Sequence, residues 1–144
     1  MMRYFYLVLA VVGGPAVASD VRQCVFTDQQ FVSQLAVAED WATFYALYKS
    51  SVPTCPDDGF YAEGYSDRVV HLLATRWSEL AAFRRLIQSD EGFRDFVYRH
   101  VDATADTNDL TQLLINARSK CPVGAERVCV DLVRHAKVAI AGQS

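Results

Sequence analysis

The sequence predicts an all-α protein: a compact antiparallel bundle of about six to seven short helices, stapled by two disulfides. Three observations carry that expectation. Apolar residues recur at the helical period along most of the chain, and segments with period-two alternation and Gly-Asn or Gly-Asp turns are missing. The stretches joining the periodic segments are mostly short, which makes successive helices antiparallel neighbours. The third is the set of four cysteines, Cys24, Cys55, Cys121 and Cys129, an even count of the kind that pairs in small exported chains. With 144 residues, 51% hydrophobic and 12% aromatic, the chain can bury one core and is too short for two ordinary domains. The aromatic content excludes disorder as the main state, and 7 Gly with 4 Pro exclude a collagen-like or low-complexity chain.

Residues 1–18 read as a secretory signal peptide. Arg3 precedes the apolar run Tyr4–Val12, Gly13-Gly14-Pro15 breaks it, and Ala16-Val17-Ala18 supplies the small residues that signal peptidase requires. Nine apolar residues rise only ~14 Å as a helix, against a hydrocarbon core of roughly 30 Å, which argues against a membrane anchor. Cleavage after Ala18 removes Arg3 alone among the charges and takes the formal charge from -3 to -4. Residues 19–144 are then a single helical domain outside the cytoplasm, periplasmic or extracellular.

The elements follow in order. Thr27 with Gln30 forms a capping box ahead of a helix from Asp28 to about Ala38, with Phe31, Val32 and Leu35 on one face. Glu39 and Asp40 open a second helix, acids at the positive end of its dipole, whose apolar face is Trp41, Phe44, Tyr45 and Tyr48. Ser50, Ser51, Pro53 and Pro56 end it. Asp57 or Asp58 caps a third helix running to Trp77, with Leu72, Leu73 and Trp77 buried; a start at Ser66 is the alternative. Gly64 inside it either costs about 1 kcal/mol or permits a close helix contact. Ser78 caps a short helix with Leu80, Phe83, Leu86 and Ile87 inward. Ser89-Asp90-Glu91 restarts the pattern for Phe93, Phe96, Val97 and Val101. Thr107 caps a helix with Leu110, Leu113, Leu114 and Ala117 on one side, stopped at Cys121-Pro122 because proline cannot continue the ladder. The last helix runs from about Ala125 to Ala141.

Three disulfide pairings are possible. Cys24–Cys55 with Cys121–Cys129 is favoured, because each bridge then closes a local segment. On the loop-entropy model these contribute about 3–4 and 2–3 kcal/mol. Structural zinc wants close ligand pairs such as C-x-x-C, and haem attachment wants C-x-x-C-H; the sequence has neither, so no cofactor or metal is expected.

Catalytic motifs are sparse. The chain lacks H-E-x-x-H, G-x-S-x-G, a Walker loop and a dinucleotide glycine fingerprint. The most suggestive cluster is Glu63, Asp67 and His71, spaced i, i+4, i+8 so that all three stack on one face of the third helix. Two carboxylates and an imidazole there could ligate a metal or work as acid and base, but an exposed helix face with an Asp67–His71 pair explains the spacing more simply. His100 reads as exposed near a helix C-terminus, His135 as solvated, and Ser66 as a cap rather than a nucleophile. The basic residues Arg84, Arg85, Arg94 and Arg99 are surrounded by acids and read as a solvated surface. Asp57, Asp58, Phe60, Tyr61 and Tyr65, at a loop-to-helix junction, form the candidate binding surface, since tyrosine buries area at low entropy cost while keeping a polar tip; the plainer alternative is that Tyr61 and Tyr65, one turn apart, pack in the core. An acidic pI near 5.5 argues against nucleic acid.

These features point to a non-enzymatic exported protein that binds another extracytoplasmic protein, of the inhibitor or immunity type, against an enzyme acting in the cell envelope. Two alternatives stand beside it. One is a small exported hydrolase using His71 with Asp67 or Glu63. The other is a helical carrier of a small apolar ligand, suggested by the aromatic content.

Overall fold

The computed structural model describes residues 24–144; the expected signal peptide at residues 1–18 lies outside the described residues. Seven α-helices and one 3-10 turn make up 74% of what is described, with no strand among those residues. The helices are α1 (Asp28–Val37), α2 (Trp41–Ser51), α3 (Gly59–Thr75), α4 (Leu80–Ser89), α5 (Glu91–Arg99), α6 (Thr107–Ser119) and α7 (Glu126–Gly142), with the 3-10 turn at Trp77–Glu79. Both bridges pair as expected, Cys24 with Cys55 and Cys121 with Cys129. Among the described residues no helix is long and apolar enough to cross a membrane.

Local chemistry explains where the helices begin. Thr27 Oγ1 accepts from Gln30 N–H at 3.2 Å while the Gln30 side chain accepts from Thr27 N–H at 3.0 Å, closing the capping box of α1. Asp40 and Asp90 cap α2 and α5 by accepting from Thr43 and Phe93 N–H, and these backbone bonds hold both carboxyl groups below the usual carboxylate range. Asp58 stands at the N-cap of α3, eight residues before Ser66, so the later start at Ser66 does not occur. Two other caps differ from expectation. Asp106, not Thr107, caps α6, because its carboxylate accepts from both Asn108 and Asp109 N–H. Ser78 lies inside the 3-10 turn and caps nothing. The chain breaks there because α3 closes at Arg76, which also swings Trp77 out of the α3 stripe; its indole N–H donates instead to Lys120 O at 2.8 Å.

The core is one cluster running through all seven helices. Its first half is aromatic: Phe31, Trp41, Phe44, Tyr65, Phe83, Phe93 and Phe96 are all fully buried. Leu47 joins this core, while Tyr45 and Tyr48 sit at its edge. Its second half is aliphatic, with Leu110, Leu113 and Leu132 closing the seam between α6 and α7, the most extensive helix contact. Asn116 donates to Ala74 O at 2.9 Å and fixes α6 across the end of α3. Gly64 permits the close approach of α1 to α3: a Cβ there would stand 2.8 Å from Leu35 Cδ1 and 2.9 Å from Phe31 Cε1. Any side chain at this position would therefore displace the Leu35 and Phe31 side chains packed against it.

Candidate functional site

Two histidine–aspartate pairs lie on opposite flanks of α3. In the first the imidazole is sealed, although its aspartate reaches the surface. Ser66, mid-helix and 0% exposed, places its Oγ 2.8 Å from His100 Nδ1 and 2.8 Å from Asp102 Oδ2. His100, 2% exposed at the end of α5, turns Nε2 to Asp57 Oδ1 at 2.9 Å, and Arg99 donates to the other Asp57 oxygen at 2.5 Å. The expectation of an exposed His100 is thus overturned. The helix ends with the His100 side chain directed inward, against the Phe96 ring at 4.3 Å between centroids.

The order serine, histidine, aspartate matches that of a hydrolytic triad, but the surroundings do not suit that chemistry. A nucleophilic serine must meet a substrate carbonyl and a pair of oxyanion donors. Ser66 is instead enclosed in the middle of a helix, where the backbone N–H groups are committed to the helix ladder. Its role is to satisfy buried polar atoms. Burial pushes the His100 pKa down, with Asp57 pulling the other way and Arg99 reinforcing the fall. With a neutral ring donating Nε2–H to Asp57, the single Ser66 hydroxyl proton has two acceptors, His100 Nδ1 and Asp102. One further proton, on the ring or on a carboxyl group, would supply a hydrogen to every link of the chain.

The second pair is open. His71 Nδ1 lies 2.8 Å from Asp109 Oδ2, and both side chains are partly exposed. Asp109 comes from the first turn of α6, where an acid reads simply as a partner of the helix dipole. Nothing local in the sequence links it to His71, 38 positions away. The expected partners do not serve: Glu63 and Asp67 are exposed on α3 and make no hydrogen bond among the described residues. Accepting from Nδ1–H, Asp109 would fix the tautomer that leaves Nε2 as a base, the arrangement a general base needs. No serine or cysteine lines the surface beside it; Thr75 does, and its hydroxyl donates to His71 O at 2.7 Å.

The expected binding surface divides in the same way. Tyr65 is buried, and its hydroxyl donates to Ser51 Oγ at 2.8 Å. Tyr61 packs against Phe31 with the rings tilted, 4.7 Å between centroids, and its hydroxyl donates to Asp28 at 2.8 Å. Asp57 belongs to the His100 chain. Asp58 and Phe60 remain at the surface, Phe60 being 49% exposed. His135 is not free either: its ring stacks on Tyr98 at 5.2 Å, and burial lowers its pKa. Burial raises the Tyr98 pKa to about 12.

No protein-family model, curated protein or solved structure matches this chain. Among the described residues, no cluster of three or more His, Cys, Asp or Glu is arranged to hold a metal ion.

Proposed function

We propose that this is an exported protein that acts by binding another extracytoplasmic protein, and that the outward face at the start of α3 makes the contact. The observation that carries the reading is Phe60. Among the described residues it is the one aromatic side chain classed as exposed. Its ring is held edge-on by Phe31 and Tyr61, at 6.0 and 5.5 Å between centroids. A preoriented aromatic in a ring of polar groups is the usual anchor of a protein interface, because it buries area without ordering a flexible chain.

Charge supports the same face. Glu63 and Asp67 follow Phe60 at i+3 and i+7, both exposed, and Asp58 and Asp28 flank it. Residues 24–80 carry eight acids and three basic residues. The complementary partner is a basic protein surface with an apolar recess, as an inhibitor or immunity-type protein would meet on an envelope-acting enzyme. The Cys24–Cys55 bridge pins the loop leading to Phe60, and two bridges suit a chain that works in an oxidising compartment.

The test is capture of partners from an envelope extract by the tagged chain spanning residues 19–144. A single basic protein should be retained at defined stoichiometry and released by salt. Phe60→Ala should weaken it about thirtyfold or more, the loss expected of an interface anchor. Glu63→Lys with Asp67→Lys should slow its association. Retention of no protein, or capture indifferent to all three substitutions, overturns the reading. Intact mass of secreted material should show loss of residues 1–18 and two bridges.

A further inference from the structure

Arg68, His71 and Thr75 follow one another along a flank of α3 at i, i+3 and i+7. With Arg76, at the end of that helix, and Glu39, from the α1–α2 junction, they line an open hollow of about 350 Å³. Three observations make this hollow unlike an ordinary charged surface. Arg68 forms neither a hydrogen bond nor an ion pair among the described residues, and its Nε–H is buried with no acceptor. A guanidinium cannot shed its charge; with Nε sealed and the terminal nitrogens unbonded among the described residues, it is those terminal N–H groups that stand open to an acceptor from outside the fold. Arg76 has only a loose partner, Glu39 at 3.9 Å, with both side chains largely exposed. His71, its ring held by Asp109 at Nδ1, has no partner for Nε2 among the described residues.

We propose that the hollow binds a small molecule bearing an oxyanion head, phosphate or carboxylate, clasped by Arg68 and Arg76. The planar fork of arginine suits both heads, each presenting two oxygens to parallel N–H groups. His71 Nε2 completes the ring of contacts. As imidazolium it donates to an anionic oxygen, and as neutral imidazole it accepts from a protonated one. Thr75 does not join them, because its hydroxyl is committed to His71 O. Glu39 opposes the anion, and binding releases Arg76 from it. The chain as a whole is acidic, with a formal charge of -3, so attraction to this hollow is local rather than a property of the net charge.

The experiment follows the arginine Nε–Hε and histidine ring resonances of the 19–144 chain by NMR. The probes are inorganic phosphate, phenyl phosphate and benzoate, each against chloride at matched ionic strength. Arg68 and His71 signals should shift saturably with at least one of the phosphate or carboxylate probes, and which one responds identifies the head group. Arg68→Lys should weaken binding about tenfold, since it keeps the charge and loses the fork. Glu39→Gln should tighten binding several-fold, an effect that a purely structural Arg68 would not produce. Shifts equal to those of chloride, or an affinity that Glu39→Gln leaves unchanged, overturn the proposal. If Arg68→Lys fails to fold, the Glu39→Gln comparison still decides.

Discussion

His100 and His71 each meet an aspartate at a hydrogen-bond distance of less than 3 Å, yet one ring is enclosed and the other faces water, while the two aspartate side chains are about equally exposed, 28% and 25%. The difference lies in what surrounds each ring. His100 is packed by Phe96 and Tyr65 and bonded at both nitrogens, so its polar atoms have no alternative partner in solvent. His71 is bonded at one nitrogen and can exchange that partner for water at little cost. The same two residue types therefore do different work. The enclosed pair specifies how α3 meets the end of α5. The open pair is fixed in orientation but keeps a free edge. A distance alone separates neither role; burial does.

The largest effect that would test this contrast is removal of the enclosed ring. His100→Ala should cost roughly 2–4 kcal/mol of unfolding free energy, because it opens a cavity and strips partners from Ser66 and Asp57 together. Ser66→Ala should cost less, about 1–2 kcal/mol, since it removes one hydroxyl and leaves the ring in place. Urea denaturation at neutral pH measures both. A His100→Ala loss under about 0.5 kcal/mol would place that ring among ordinary surface residues.

These two histidines also show why the sequence was legible in parts. The helix pattern, the Thr27 capping box and both disulfides rest on neighbours in sequence, through periodicity, spacing and short loops, and each appears in the structure. The Ser66–His100–Asp57 chain joins positions 34 and 43 residues apart, and no periodicity encodes such a meeting. Tyr65 stands five residues after Phe60, about 140° further round α3 at roughly 100° per residue, and that turn takes it into the core. Phe60 stayed outside for the same reason. Arg68 carried no signal at all, because an arginine on a helix reads as solvated until its neighbours are known.

A smaller effect comes from pH, which changes the charge on the enclosed ring without removing an atom. Burial lowers the His100 pKa, so below about 6.5, the ordinary histidine value, the unfolded chain takes up a proton that the folded chain refuses. The stability that His100 contributes is therefore complete above about pH 6.5. It is lost as the pH falls from there toward the lower folded value. His135, also lowered by burial, adds a loss of the same sign. Asp40 and Asp90 lose their contributions only nearer pH 4, where carboxylates ordinarily protonate, so the windows separate. The urea midpoint should fall between about pH 7 and 5, and His100→Gln should remove part of that fall. A midpoint that rises on acidification would mean that Asp57 and Asp102 outweigh burial and that the chain prefers its imidazolium.

The smallest effect belongs to the open pair, and its smallness is the point. His71→Ala and Asp109→Asn should each change stability by no more than about 0.5 kcal/mol, because a partly exposed pair gains little over water and loses some of that to side-chain ordering. The two substitutions should nevertheless differ at the hollow beside them. Asp109→Asn leaves the His71 ring present but no longer held by a carboxylate, so the Nε2 resonance should report a mixture of tautomers; His71→Ala deletes the signal. Nitrogen NMR of the imidazole reads the first directly. A tautomer left unchanged by Asp109→Asn would show that the ring is fixed by packing alone, and the distinction between an enclosed pair that builds the fold and an open pair that orients a free edge would lose its second half.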